Sequence, residues 1–247
     1  MSKPLATAWI LACLLAPRLG VAVTLEQLDD FEDGTTQGWV VGIGIGASHP
    51  APPANIATGG PAGAEDNFLL LTSVGGNGAG NRLTVINPFQ WSGDYPAAGV
   101  TEIEMDVRNF GGTNLALRLL FEDPAGGPPS NEAVSSNAIS VPSGSDWTHV
   151  VFPITPGDLT AVLGSVGAAL SNATAIRIFH GTTAAFPGNP IAAQLGVDDI
   201  RAAPEPAAAA LLAFAVAALA LLRSRGGPVG RRARVRDAPD ARSRRSS

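Results

Sequence analysis

Two groups of carboxylates flank the acidic middle of the chain. Asp30, Glu32 and Asp33 lie in the run Asp30-Phe31-Glu32-Asp33-Gly34, and Asp198 and Asp199 lie in Leu195-Gly196-Val197-Asp198-Asp199-Ile200. If the opening and closing strands of the folded part pair, the two groups meet. Carboxylates held together repel unless one keeps a proton or a cation sits between them. An oxygen-rich, lysine-free setting suits Ca²⁺. Asp30, Glu32, Asp198 and Asp199 are therefore candidate ligands of a structural Ca²⁺, serving stability rather than catalysis. Solvated turn acids with local Asx-turn hydrogen bonds account for the same residues without a metal.

A second cluster is aromatic. Phe89-Gln90-Trp91-Ser92-Gly93-Asp94-Tyr95 gathers rings and polar groups in one loop. Sugars bind by laying C–H faces on aromatic rings while nearby polar groups take their hydroxyls. Trp91, Tyr95 and Asp94 are thus the candidate carbohydrate contacts, with core or loop anchoring as the competing reading of the rings. Trp39 and Trp147 are expected in the core. His49, His149 and His180 each stand alone, without a zinc spacing. Neither a Gly-x-Ser-x-Gly elbow nor a phosphate loop is found; Gly42-Ile43-Gly44-Ile45-Gly46 lacks the following Lys-Ser/Thr.

Charge is segregated along the chain. Residues 23–203 carry 18 acids against five arginines and no lysine, a net charge of −13, which disfavours nucleic acid and anionic lipid. The only cysteine, Cys13, precedes this segment, so the segment can build neither a disulfide nor a thiolate metal site.

Both ends have the grammar of export. Residues 1–22 read as a signal peptide, with Lys3, an apolar Leu5–Ala16 run, and small residues at Gly20 and Ala22 that put cleavage after Ala22. Ile10-Leu11-Ala12-Cys13 loosely matches a lipoprotein box, the competing reading. At the other end Pro204-Glu205-Pro206 precedes apolar residues 207–222, then Arg223 and Arg225. Sixteen residues make about 24 Å of helix against a ~30 Å hydrocarbon core, a marginal transmembrane helix with its arginines on the cytoplasmic side. A plain tail anchor would have these features. The tripartite end also resembles the PEP-CTERM sorting signal of exopolysaccharide-producing Gram-negative bacteria. That resemblance implies processing by the membrane transpeptidase exosortase, after transit through the secretion machinery and signal peptidase. It further implies an inner-membrane-anchored precursor that ends at the cell surface or in the extracellular matrix, associated with exopolysaccharide. Residues 226–247 extend past the usual end of that signal as a basic tail expected to be disordered.

The elements that must position these residues read as short apolar runs separated by Gly/Pro clusters, the pattern of an all-β sandwich. Strands are expected at 24–31, 38–45, 68–73, 82–86, 102–107, 115–122, 138–141, 148–153, 175–179 and 195–202. Glu102 to Val107 alternates strictly, with one face to solvent. Thr155-Pro156-Gly157-Asp158 looks like a helix start, followed by Leu159, Val162, Leu163 and Val166 at helical spacing, so one short helix is expected to end near Asn172. The fold expected is an all-β jelly-roll/β-sandwich ectodomain over 23–203. Its opening (Asp30 to Gly34, Gly38-Trp39) and closing (Leu195 to Ile200) motifs are similar to those of carbohydrate-binding jelly-roll modules and of PEP-CTERM ectodomains. Three functions follow: a non-enzymatic surface or matrix protein, a dedicated carbohydrate-binding module, or a jelly-roll glycoside hydrolase or polysaccharide lyase. The last is disfavoured for a lyase by a single tyrosine and the absence of lysine.

Overall fold

The computed structural model describes residues 22–42, 51–78, 81–124 and 127–205. Residues 1–21 of the leader, His49, Pro206, the apolar segment 207–222, Arg223, Arg225 and the tail 226–247 lie outside the described residues. Among the described residues no helix is long and apolar enough to cross a membrane.

Two antiparallel sheets face each other. The first holds β1 (Leu28–Asp29), β2 (Ala54–Ile56), β3 (Phe68–Val74), β5 (Glu102–Asn109), β9 (Thr148–Pro153) and β12 (Ala192–Ala203). Its order is β2-β3-β12-β5-β9, with β1 also paired to β12. The second holds β4 (Thr84–Asn87), β6 (Leu115–Asp123), β7 (Asn131–Ser135), β8 (Ile139–Val141), β10 (Leu159–Leu163) and β11 (Ala175–His180). Its order is β10-β7-β6-β11-β4, with β8 on β6. Two short helices, α1 (Tyr95–Ala98) and α2 (Val166–Ser171), complete the body.

The period of two writes the core. Ile103, Met105 and Val107 of β5, Leu69 and Leu71 of β3, and Leu195 and Val197 of β12 point inward. They meet Leu117, Leu119 and Phe121 of β6 and Ile176 and Ile178 of β11. Each such side chain contributes about 1.5–3 kcal/mol by leaving water. The alternate residues of β5, Glu102, Glu104, Asp106 and Arg108, are left on the outer face, half-buried.

The structure departs from the expected elements in four places. The run 24–31 forms only the two-residue β1, because Glu26 and Phe31 adopt φ of 64° and 57° and break the extended chain. The run 38–45 makes a single bridge, Val40 to Ile86, before residues 43–45 pass outside the described set. The expected helix over 155–172 divides. Thr155 donates from its backbone N–H and its hydroxyl to Asp158, closing a turn. Leu159–Leu163 then runs as β10 on the edge of β7. Thr160 and Val162 are β-branched, and a ladder partner outweighs the helical spacing of the leucines. The true helix, α2, starts after Ser165, whose side chain accepts from the Ala168 N–H. β2, β7 and α1 fall outside the expected runs, being only three, five and four residues long.

The buried polar centre is Asp29 on β1. Its Oδ2 accepts the indole N–H of Trp39 at 2.8 Å and of Trp91 at 2.7 Å, and Gln90 donates to both its oxygens. Burial raises the Asp29 pKa, and the two indole donors oppose that rise. Replacing Asp29 by Ala leaves two buried indole donors unpaired, at about 1–3 kcal/mol each. Chemical denaturation of Asp29→Ala should therefore show a loss of roughly 2–6 kcal/mol with an unchanged m-value; a loss under about 1 kcal/mol would show that the clamp is dispensable.

Candidate functional site

The structure removes two expected contacts from the surface. Trp91 and Tyr95 are fully buried. Trp91 serves Asp29, and the Tyr95 hydroxyl donates to the Trp91 carbonyl while its ring packs edge-on against Phe121. Neither offers a ring face to a sugar. Asp94 caps α1 by accepting from the Ala97 N–H. Trp39 is core, as expected. Trp147 is only half-buried and lies on the outside of the first sheet. Ala22 bridges to Ser92, and Val23 beside it is buried. Pro204 is half-buried and Glu205 exposed.

The two acid groups do approach, because β1 pairs with β12 in the register Leu28 to Arg201 and Asp29 to Ile200. Asp30 accepts from the Glu32 N–H and from Gln37, Glu32 accepts from the Asn67 N–H, and Asp198 accepts from the Asp199 N–H. Among the described residues no three Asp, Glu, His or Cys side chains form a metal-holding group. Asp30 and Asp198 thus serve local turns, and Glu32 ties its loop to Asn67. Burial pushes the Asp198 carboxyl up to about 8, with the charges of Asp199, Asp66 and Glu32 adding to the rise. Asp199 is raised too, by burial and then by Asp106, Asp66, Asp30 and Glu32.

Between Asp198 and Arg201 the register on β5 advances two residues while β12 advances three. This β-bulge holds Asp199 at φ 47°. It turns Asp199 to solvent and returns Ile200 and Ala202 to the core. Two cross-strand rows result on the outer face. Leu28, Arg201, Glu104 and Val151 form one, and Asp198, Asp106 and His149 the other. The His149 ring lies 3.2 Å from Asp106, and Arg201 pairs with Glu26. Glu26, Leu28, Glu104, Asp106, His149, Asp199 and Arg201 enclose a groove of about 380 Å³.

The next row is aromatic. Gly196 of β12 stands opposite Leu70 and Arg108. A Cβ at this glycine would lie 2.7 Å from Trp147 Cη2 and 2.9 Å from Phe110 Cε2. The absent side chain is thus the seat of a ring cluster. Phe68 and Phe110 stack at 5.7 Å, and Trp147 meets both edge-on at 5.2 and 6.3 Å. The Trp147 N–H donates to the Gly59 carbonyl, and the Arg108 guanidinium lies 4.7 Å from the Phe110 ring. Phe110 keeps 39% of its surface exposed.

The outer face of the second sheet is closed by its own chain. Phe186, from the segment after β11, packs edge-on against Phe179 at 5.5 Å and joins Leu120, Val134 and Ala184. Arg177 lies beneath Phe186 and pairs with Glu122 at 2.9 Å.

The sequence expectation for Trp91 and Tyr95 fails on burial alone. The ring cluster and the bulge had their own signals: a glycine interrupting an apolar strand at 196, which marks close approach of another group, and two successive acids, Asp198-Asp199, which break alternation as a bulge does.

No protein-family model matches the chain, and no curated protein matches it. Solved structures do show likeness. A family 11 carbohydrate-binding module from Clostridium thermocellum, in complex with a β-1,3-1,4-mixed-linked tetrasaccharide, is 16% identical over 74% of this chain and 96% of that one, with a TM-score of 0.47. An exo-β-agarase is 14% identical over 73% of this chain and 25% of its own, with a TM-score of 0.49. A second agarase is 11% identical over 74% of this chain and 24% of its own, with a TM-score of 0.42. This chain therefore spans about a quarter of either agarase.

The raised carboxyl of Asp198 has a signed consequence. An unfolded aspartate titrates near 4. Between there and about 8 the folded chain holds the extra proton, so this residue's contribution is whole below that window and is lost as pH rises through it. Asp198→Asn stays neutral and its oxygen can still accept from the Asp199 N–H. It should gain stability over wild type on going from about pH 5 to about pH 9, on the order of a few kcal/mol. Parallel pH–stability curves for the two proteins would refute this.

Proposed function

We propose that the chain is a non-enzymatic, exported glycan-binding β-sandwich whose recognition surface is the outer face of the first sheet. The observation that carries this reading is the ring cluster seated on Gly196, with Phe110 partly open to solvent on the outer face of the first sheet. Aromatic rings grip the apolar faces of sugars, and neighbouring carboxylates accept their hydroxyl protons. The Phe179 side of the sandwich, by contrast, has its own Phe186 packed upon it.

Delivery in this reading follows from the ends of the chain. The leader is removed after Ala22, and the Pro204-Glu205-Pro206 signal with its apolar and arginine segments is processed by exosortase. The sandwich then reaches the cell surface or matrix, where exopolysaccharide is the partner. Deleting 204–206 in an exopolysaccharide-producing host should hold the protein at precursor mass in the membrane fraction. Unchanged mass and location would remove the sorting part of the proposal.

Binding is tested on a panel of neutral polysaccharides by calorimetry. Phe110→Ala should weaken binding at least about tenfold, a loss of 1.4 kcal/mol, with little change in melting temperature. Phe89, 59% exposed in the loop 89–95, serves as the control, and Phe89→Ala should bind as wild type does. Equal binding by the Phe110 and Phe89 variants would contradict the assignment, and new reducing ends on long incubation would contradict the non-enzymatic reading.

A further inference from the structure

We infer that the ligand of this face is a linear, uncharged glycan several sugar units long, lying parallel to β5 from the Phe110 platform to the Glu104 groove. The inference rests on the glycan-binding reading above and adds orientation, length and charge class to it.

Orientation comes from a single strand. Arg108, Asp106 and Glu104 alternate along the outer face of β5, and Phe110 follows directly beyond its end. The ring cluster marks one end of this line, and the 380 Å³ groove lies at the other. Six residues separate Phe110 from Glu104, about 20 Å of extended chain. One or two sugar rings reach only one of the two ends, whereas a longer chain touches both. The groove is shaped to receive such an end: Leu28 gives it an apolar wall, and Glu104, Asp106 and Asp199 give acceptors for hydroxyl protons.

Charge class follows from where the cations are committed. Arg201 is held by Glu26, His149 stands against Asp106, and Arg108 lies over Phe110 with Asp146 at 3.9 Å. Each cation along this line already has a carboxylate or a ring beside it, and the domain's net −13 repels a uronate or sulfate. Neutral hydroxyls meet the line without that penalty.

The test uses the protein with neutral oligosaccharides cut from whichever polysaccharide binds best, from disaccharide to hexasaccharide. Affinity should rise at least about tenfold between the disaccharide and the longest chains. A polyuronate of matched length should bind at least about tenfold more weakly than the neutral chain. The double variant Glu104→Ala/Asp106→Ala, both side chains on the outer face, should abolish the length dependence while keeping the disaccharide affinity. Melting temperatures establish that the variant is folded, and the wild-type length series stands even if it is not. Affinity independent of length, or equal binding of the polyuronate, overturns this inference while leaving the platform intact. Failure of every glycan to bind overturns the glycan-binding reading and this inference with it.

Discussion

A single buried carboxylate organises the end of the sandwich that borders the outer face of the first sheet. Asp29 takes an indole proton from Trp39 and another from Trp91, side chains ten and 62 residues away in sequence. Strand β1 is only two residues long, and its ladder to β12 alone is a weak tether. The two indoles hold its backbone in place. The Tyr95 hydroxyl extends the network to the Trp91 carbonyl, and the Tyr95 ring reaches Phe121 of the opposite sheet. Large rings thereby bury most of their area without leaving a polar atom unpaired, the condition that makes buried tryptophan and tyrosine favourable.

The position of β1 decides the shape of the outer face. Asp29 stands opposite Ile200, directly after the β12 bulge. The bulge gives Asp199 to solvent and Arg201 to the same side as Glu104. Without it the alternation of β12 would drive Arg201 into the core. The groove thus depends on a backbone irregularity that the Asp29 ladder borders. The clustering of acids there has an electrostatic cost, relieved by the proton that Asp198 retains well above the usual carboxylate range.

Much of the sandwich was legible because period-two alternation survives wherever a strand has one wet face. The expected bounds of β5, β6, β9 and β11 lie within a residue or two of the observed ones. The failures share a cause. Leu159 to Leu163 satisfies both helical spacing and β propensity, and only the free edge of β7, which lies outside the local sequence, settles the matter. Trp91 and Tyr95 look like a platform in a polar loop, yet the acceptor that draws Trp91 inward sits 62 residues earlier. The rings of the proposed platform, Phe68, Phe110 and Trp147, come from three separate segments and meet over a glycine in a fourth. No window of sequence contains that cluster.

The central claim is that ligand is held on the outer face of the β3-β12-β5-β9 sheet. Amide and indole NMR chemical shifts, followed during titration with a neutral oligosaccharide, locate the contact without any substitution. The account predicts the largest changes at Gly196, Arg108, Phe110 and the Trp147 indole, extending to Asp106 and His149. Changes centred on Phe186 and Arg177 of the covered face, or on the Phe89 loop, would contradict it.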